Sequence, residues 1–392
     1  MPSPFPDAAP KTRFPRERRR KKMLLWLILC PLALITALFL FAFFYLKLPK
    51  FGALPSGERL ERVSRSPHYR EGKFQNLVPT PRETHDGSEG SPKRSLWDFF
   101  SRSGRVAPRD PLPAVKSDLK SLAEGELVWF GHSSFIFRLR GRIFLVDPIF
   151  SQRASPLWFG MRAYPGTSVY SVADLPPVDY LLISHDHWDH LDYPTVMALR
   201  ETVGLVICGL GVGAHFERWG FPAAKTREGE WGDSFSPEEG IAIDLVTARH
   251  FSGRGLTWDQ AMWTGFVIRA GGRQIYYSGD GGYGTHFREA GAKFGSFDLA
   301  LLEDGQYDLA WKRVHMMPEE TVRAGLDLNA KAVFPVHNMK FSISYHDWDD
   351  PLLRARAEAQ SQGVSLVTPL IGQKISLGEP GAVYPAWWLG LN

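Results

Sequence analysis

Between Met23 and Leu46 the chain places 24 residues without a charge. At about 1.5 Å per residue such a run spans a hydrocarbon core of roughly 30 Å, which predicts a transmembrane helix over 23–46. A cleaved signal peptide has a shorter apolar core and a small-residue exit, whereas this run leaves through Tyr45-Leu46-Lys47. From Glu126 the texture changes to short apolar runs punctuated by Gly and Pro. These predict strands over 127–130, 135–139, 143–146, 180–184, 205–208, 243–247, 266–268, 274–278, 299–302 and 332–336. Helical spacing marks 195–201, 319–326 and 352–362. Strands with helices between them predict an α/β layered-sheet domain over 121–392, with helices packed outside. The intervening stretch is rich in Pro, Gly, Ser and charge and predicts a polar linker over 47–120, interrupted by an amphipathic piece at 96–100.

Charge changes this picture in one place. The chain is +4 overall, yet residues 1–22 alone carry eight basic and two acidic side chains, so the remainder is slightly acidic. A basic tail beside an apolar run is not the basic face of a nucleic-acid binder, and no nucleic-acid partner is expected. The cluster Arg18-Arg19-Arg20-Lys21-Lys22 outweighs the diluted basic residues beyond Leu46. The positive-inside rule therefore predicts a single-pass protein with a cytoplasmic tail over 1–22 and an extracytoplasmic catalytic domain. The two cysteines, Cys30 and Cys208, exclude a Cys-rich zinc site, so any metal must be held by His and carboxylates.

Such a set is present. The strand ending at Ser184 runs into His185-Asp186-His187-Trp188-Asp189-His190. On an extended strand exit, residues two apart face the same way, so His185 and His187 can present nitrogens to one cation, while Asp189 and His190 serve a second at the turn. Paired divalent metals about 3.5–4 Å apart need roughly three more ligands. His250, Asp280 and His337 each end a strand-like run. We expect His185, His187 and His250 on one metal, Asp189, His190 and His337 on the other, and Asp280 bridging both. Nitrogen and oxygen donors without thiolate suit two zinc ions best, with iron or manganese also fitting. Asp147 is expected to orient a ligand imidazole. His132 is open between a place near the site and packing, and His68, His85, His215, His286 and His346 are expected to pack.

These strings resemble the metallo-β-lactamase superfamily and, within it, the branch of N-acylphosphatidylethanolamine-hydrolysing phospholipase D. The likeness spans about residues 126–375. It rests on Gly131-His132, Val146-Asp147-Pro148-Ile149-Phe150, Arg153-Ala154-Ser155-Pro156, Leu182 through Tyr193, Ser278-Gly279-Asp280-Gly281-Gly282-Tyr283, Phe294 through Ala300 and His315-Met316-Met317-Pro318-Glu319-Glu320. It implies a four-layer αβ/βα sandwich, with both metals at one edge, and a membrane-lipid phosphodiester as substrate. It also implies a further active-site histidine, His315, touching the transition state or leaving group. Asp280, His315 and Asp189 are then the expected catalytic residues, acting with a metal-bridging hydroxide.

The chain departs from the lipid enzymes at Leu301-Leu302-Glu303-Asp304-Gly305-Gln306-Tyr307, where they carry an apolar run and Gly-Ala-Tyr, and at His337-Asn338-Met339, where they carry His-Trp-Gly. Two carboxylates, Glu303 and Asp304, beside a phosphate site would repel an anionic substrate. A lactonase or small-molecule ester or phosphoester hydrolase is therefore the alternative, and a non-catalytic membrane-tethered metal-binding protein the third reading. Trp158, Phe159, Tyr307, Trp311, Met316 and Met317 are candidates for an acyl-chain groove.

Overall fold

The computed structural model describes residues 14–84, 95–102, 104–379 and 382–392, the side chains of 14–17, Leu96 and Phe100 excepted. The first thirteen residues of the basic tail, and the stretch 85–94 with His85, lie outside the described residues. The chain divides into two compact units, Met1–Pro49 and Lys50–Asn392.

In the first unit α1 (Phe14–Tyr45) extends the expected span back into the basic cluster and contains Pro31. Its Arg18–Tyr45 portion is long and apolar enough to cross a membrane. Its large apolar side chains, among them Trp26, Ile35 and Phe39, are exposed.

The second unit opens with α2 (Gly57–Ser64) and a small hairpin, β1 (Tyr69–Arg70) and β2 (Lys73–Phe74), followed by α3 (Leu96–Phe100). There follow β3 (Glu126–Trp129), β4 (Phe135–Leu139), β5 (Arg142–Val146), β6 (Val178–Ile183), α4 (Tyr193–Leu199), β7 (Val203–Gly209), α5 (Gly213–Arg218) and β8 (Thr226–Gly229). The second half contributes β9 (Ser234–Glu238), β10 (Ile241–Val246), β11 (Gly265–Ala270), β12 (Arg273–Tyr277), α6 (His286–Phe294), β13 (Leu299–Glu303), α7 (Pro318–Asp327), β14 (Val333–Val336), α8 (Asp350–Gln362) and β15 (Lys374–Ser376). One sheet has the order β15-β3-β4-β5-β6-β7-β8, and the other β14-β13-β12-β11-β10-β9. The parallel pairs β6–β7, β12–β13 and β13–β14 are each joined by a crossover helix, as parallel strands require.

Period-two alternation sorts the side chains into layers. Leu127, Trp129, Phe135, Phe137, Phe144 and Leu182 of the first sheet meet Phe266, Ile268, Ile275, Tyr277 and Leu301 of the second in one core. Their neighbours Val128, Ile136, Leu145, Leu181 and Ile183 face outward onto Val196, Leu199 and Phe216 of α4 and α5. On the other side Val267, Tyr276, Ala300 and Leu302 face Phe287 and Ala324 of α6 and α7. The result is helix, sheet, sheet, helix: the metallo-β-lactamase fold, an αβ/βα sandwich. Each large apolar side chain fully enclosed between the sheets contributes about 1.5–3 kcal/mol.

The structure departs from the sequence pattern in two places. β8, β9 and β15 carry few apolar residues because they lie at sheet edges, where one flank faces solvent. Within 47–120, where a polar linker is expected, residues 50–84 hold α2 and the hairpin, and Val63 and Phe74 pack with Leu210, Ala248, Met262 and Trp263. The composition hides this because a few side chains anchor the segment and the remaining ties are polar. Arg59 and Arg62 pair with Glu228. The Asn76 side chain donates to the His250 carbonyl (2.8 Å) and accepts its N–H (3.1 Å).

Candidate metal centre

The strands deliver the candidate residues to one edge of the sandwich. β6 ends at Ile183, β10 at Val246, β12 at Tyr277 and β14 at Val336, and His185, His250, Asp280 and His337 follow each end within a few residues. Gly279 has φ +60°, and a Cβ there would lie 2.6 Å from the Thr264 carbonyl oxygen, so only glycine lets the chain turn tightly enough to present Asp280. His337 itself has φ +67°, a strained conformation of the kind found at functional sites. It is clamped by hydrogen bonds from His337 N to the His132 carbonyl (3.0 Å) and from His132 N to the Asn338 carbonyl (2.8 Å).

The structure brings all seven expected ligands together. His187 Nδ1 lies 2.9 Å from His185 Nε2 and 3.2 Å from His250 Nε2. Two nitrogens on one tetrahedral cation at about 2.0–2.1 Å are about 3.3 Å apart, so these three rings have a metal ligand spacing. A second group comprises Asp189, His190 and His337, with His132 added. Between the two groups, Asp280 Oδ2 is 3.1 Å from His190 Nε2 and 3.8 Å from both His185 Nε2 and His250 Nε2, while Oδ1 is 3.2 Å from His337 Nδ1. One carboxylate thus addresses both clusters.

The donor chemistry fits cations. Burial, reinforced by neighbouring histidines, holds His185, His250 and His337 well below the usual imidazole range. Burial pulls His187 down to about 4. The rings are therefore neutral, with lone pairs turned on one another, and the buried Asp280 Oδ1 has no hydrogen bond. Burial also opposes a proton on His190, yet Asp280 and Asp189 raise that ring well above its ordinary value. A divalent ion between those groups would take the place of that proton.

A supporting layer fixes the rings. Asp147, fully buried with φ +39°, places Oδ2 2.8 Å from His190 Nδ1 while accepting from Ser184 Oγ (2.5 Å) and Tyr277 OH (2.6 Å). Its Oδ1 accepts from Ser184 N (2.8 Å). His250 Nδ1 donates to the Val314 carbonyl (2.9 Å), which leaves Nε2 for the cluster. Asp147→Asn exchanges an acceptor for an amide donor toward His190. It should weaken metal affinity or activity about 10–100-fold, read by metal titration and steady-state rates, with the fold intact.

Some of these roles escape sequence reasoning. His132, left open above, points Nε2 at Asp189 Oδ2 (2.9 Å), and its ring lies 4.1 Å from that of His337. The buried Arg254 donates to the carbonyls of Leu191 (2.6 Å) and Asp186 (2.9 Å) and stacks on Trp188 at 4.0 Å, bracing the loop that carries the ligands. An arginine 64 residues downstream of His190 gives no local signal of this. Glu303 is fully buried and accepts from His315 Nδ1 with Oε1 and from Gly281 N with Oε2. Asp304 is equally buried, and burial raises both carboxyls well above their usual range. Neither carboxyl stands at the surface.

The proposed groove is also redistributed: Tyr307 and Met316 are interior, whereas Trp158, 84% exposed, stands on a surface loop. His215 bonds Asp186 (3.1 Å), His346 accepts from Gln306 N (3.0 Å), and His68 and His286 lie against the rings of Trp231 and Phe287. All four have packing partners.

Comparison with known proteins adds to the geometry. A family model described as β-lactamase superfamily domain matches residues 142–338. An uncharacterized protein of Mycobacterium tuberculosis is 37% identical over 334 residues, covering 82% of this chain and 87% of its own. The N-acyl-phosphatidylethanolamine-hydrolyzing phospholipase D 1 of Caenorhabditis elegans is 30% identical over 324 residues, covering 78% and 84% respectively. Among solved structures, isothiocyanate hydrolase from Delia radicum gut bacteria superposes with a TM-score of 0.52 at 18% identity, covering 64% of this chain and 98% of that one.

Proposed function

Because the chain belongs to the metallo-β-lactamase superfamily of metal-dependent hydrolases, we propose that it is a membrane-anchored dinuclear zinc phosphodiesterase of the phospholipase D type, acting on N-acylphosphatidylethanolamine-like lipids. The observation that carries the dinuclear reading is Asp280 set between two histidine clusters. His185, His187 and His250 would hold one cation and Asp189, His190 and His337 the other, with Asp280 shared. Bound there, the pair would supply water of lowered pKa and neutralise charge developing on the substrate. Asp280, a buried acceptor, and Asp189, a half-buried one, would orient the attacking water. His315, ahead of α7, would contact the leaving oxygen.

Three observations support a lipid substrate. The nematode phospholipase aligns over most of both chains. A helix apolar enough to span a bilayer belongs to the same polypeptide. Leu157, Trp158 and Leu256 stand exposed on loops, as side chains that meet a bilayer surface do. The basic cluster at 18–22 would keep the N-terminus cytoplasmic and residues 121–392, the hydrolase domain, on the opposite side.

The test is a substrate panel with purified, zinc-loaded, full-length protein: N-acylphosphatidylethanolamine, bis-p-nitrophenyl phosphate and lactones. Release of N-acylethanolamine is the expected result. Lactone opening without phosphodiester cleavage would replace this reading by the lactonase, and no turnover by metal-replete protein would leave a binding protein.

A further inference from the structure

We infer that Glu303 is the positioning residue for His315, holding the ring so that Nε2, and not Nδ1, faces the leaving oxygen of the substrate. This deepens the hydrolase reading above and rests on it.

Glu303 is the last residue of β13, the strand between those that lead to Asp280 and His337. Every polar atom it owns is committed. Its N–H donates to Ser278 Oγ (3.0 Å), and its carbonyl accepts from Thr321 Oγ1 (2.7 Å). Carboxylate Oε2 takes the N–H of Gly281, the residue after Asp280, and Oε1 takes His315 Nδ1. A residue fixed at four points, two of them on its carboxylate, is a rigid reference for a ring that sits on a loop. Besides that bond, His315 has ring contacts with His250 (5.0 Å) and His337 (5.5 Å).

With Nδ1 engaged, Nε2 is the nitrogen left for the site. The His315 side chain is 13% exposed, whereas those of His185, His190, His250 and His337 are 0–1% exposed, so this ring retains access to an incoming molecule. Carboxylate, imidazole and reacting atom in line is the arrangement by which a third group orients a general acid or base.

In the step it serves, the Glu303–His315 pair starts with two protons, one between Oε1 and Nδ1 and one on Nε2. The oxygen of the attacking water bonds to phosphorus as the phosphorus–oxygen bond to the alcohol breaks, with its electron pair kept on the alcohol oxygen, which takes the Nε2 proton. The proton that the water loses restores Nε2, and the hydrogen bond to Glu303 persists throughout.

The experiment compares Glu303→Gln, His315→Ala and the double variant in the full-length, metal-loaded protein, using phosphodiesters that release either p-nitrophenol or a simple alcohol. A p-nitrophenolate leaves without a proton and an alkoxide does not. Glu303→Gln should therefore cost about 10²-fold on the alcohol ester and only a few-fold on the p-nitrophenyl ester. In the His315→Ala background it should cost nothing further, with metal content unchanged. Equal losses on both esters, or additive losses with His315→Ala, would overturn the assignment and leave Glu303 as a fold residue. If Glu303→Gln fails to fold, Glu303→Asp, which keeps the charge but shortens the reach, must show the same split. If the wild type cleaves no phosphodiester, the substrate reading fails; the same comparison on aryl and alkyl esters or lactones that it does open then decides the role of Glu303 separately.

Discussion

Asp280→Asn is expected to lower turnover by at least about three orders of magnitude and to reduce bound metal from about two ions per chain to about one or fewer. The side chain keeps its shape, so the buried site still packs. One of its two oxygens becomes an amide nitrogen, which cannot ligate a cation. The geometry makes the loss unusually direct, because Oδ2 serves His185, His190 and His250 while Oδ1 faces His337. Steady-state rates together with elemental analysis of the variant read both effects. An unchanged rate at full metal content would remove Asp280 from the chemistry.

Stripping the metal with a chelator is expected to abolish activity and to lower the melting temperature, with both restored by added zinc. The reason is stored in the cluster. Without cations it keeps four neutral imidazoles facing one another, with Asp280 and Glu303 buried and Asp189 half-buried within one small volume. A ligand present at 1,000 times its dissociation constant adds about 4 kcal/mol to stability per site. Two such sites would account for a large part of the 5–15 kcal/mol that holds a typical domain folded. Calorimetry with and without chelator measures the shift. A melting curve indifferent to metal would show that the histidines pack without it.

The fold was legible from the sequence where chemistry and pattern coincide. Parallel strands covered on both faces read as uninterrupted apolar runs, which is why Tyr180 to Ile183 and Leu299 to Leu302 stood out. A polar His or Asp at the end of such a run is costly to bury without a partner, and this marked His250, Asp280 and His337 although they lie far apart in the chain. Edge strands β8 and β9 escaped because they bury little. The 50–84 segment escaped because Val63 and Phe74 are isolated apolar residues in polar surroundings, and its Asn76 ties to His250 through backbone groups. His132 reaches the cluster through a left-handed turn, φ +54°, which no periodicity announces. The bond between Glu303 and His315 is made across the fold, from the end of β13 to the loop ahead of α7, and no spacing in the chain announces it.

Elemental analysis of purified, folded, full-length protein decides whether Asp280 and the histidines around it hold metal. About two divalent transition-metal ions per chain are expected, falling with substitution of His185, His250 or His337. Well-folded protein that carries no such metal, and takes up none when zinc is supplied, would contradict this expectation.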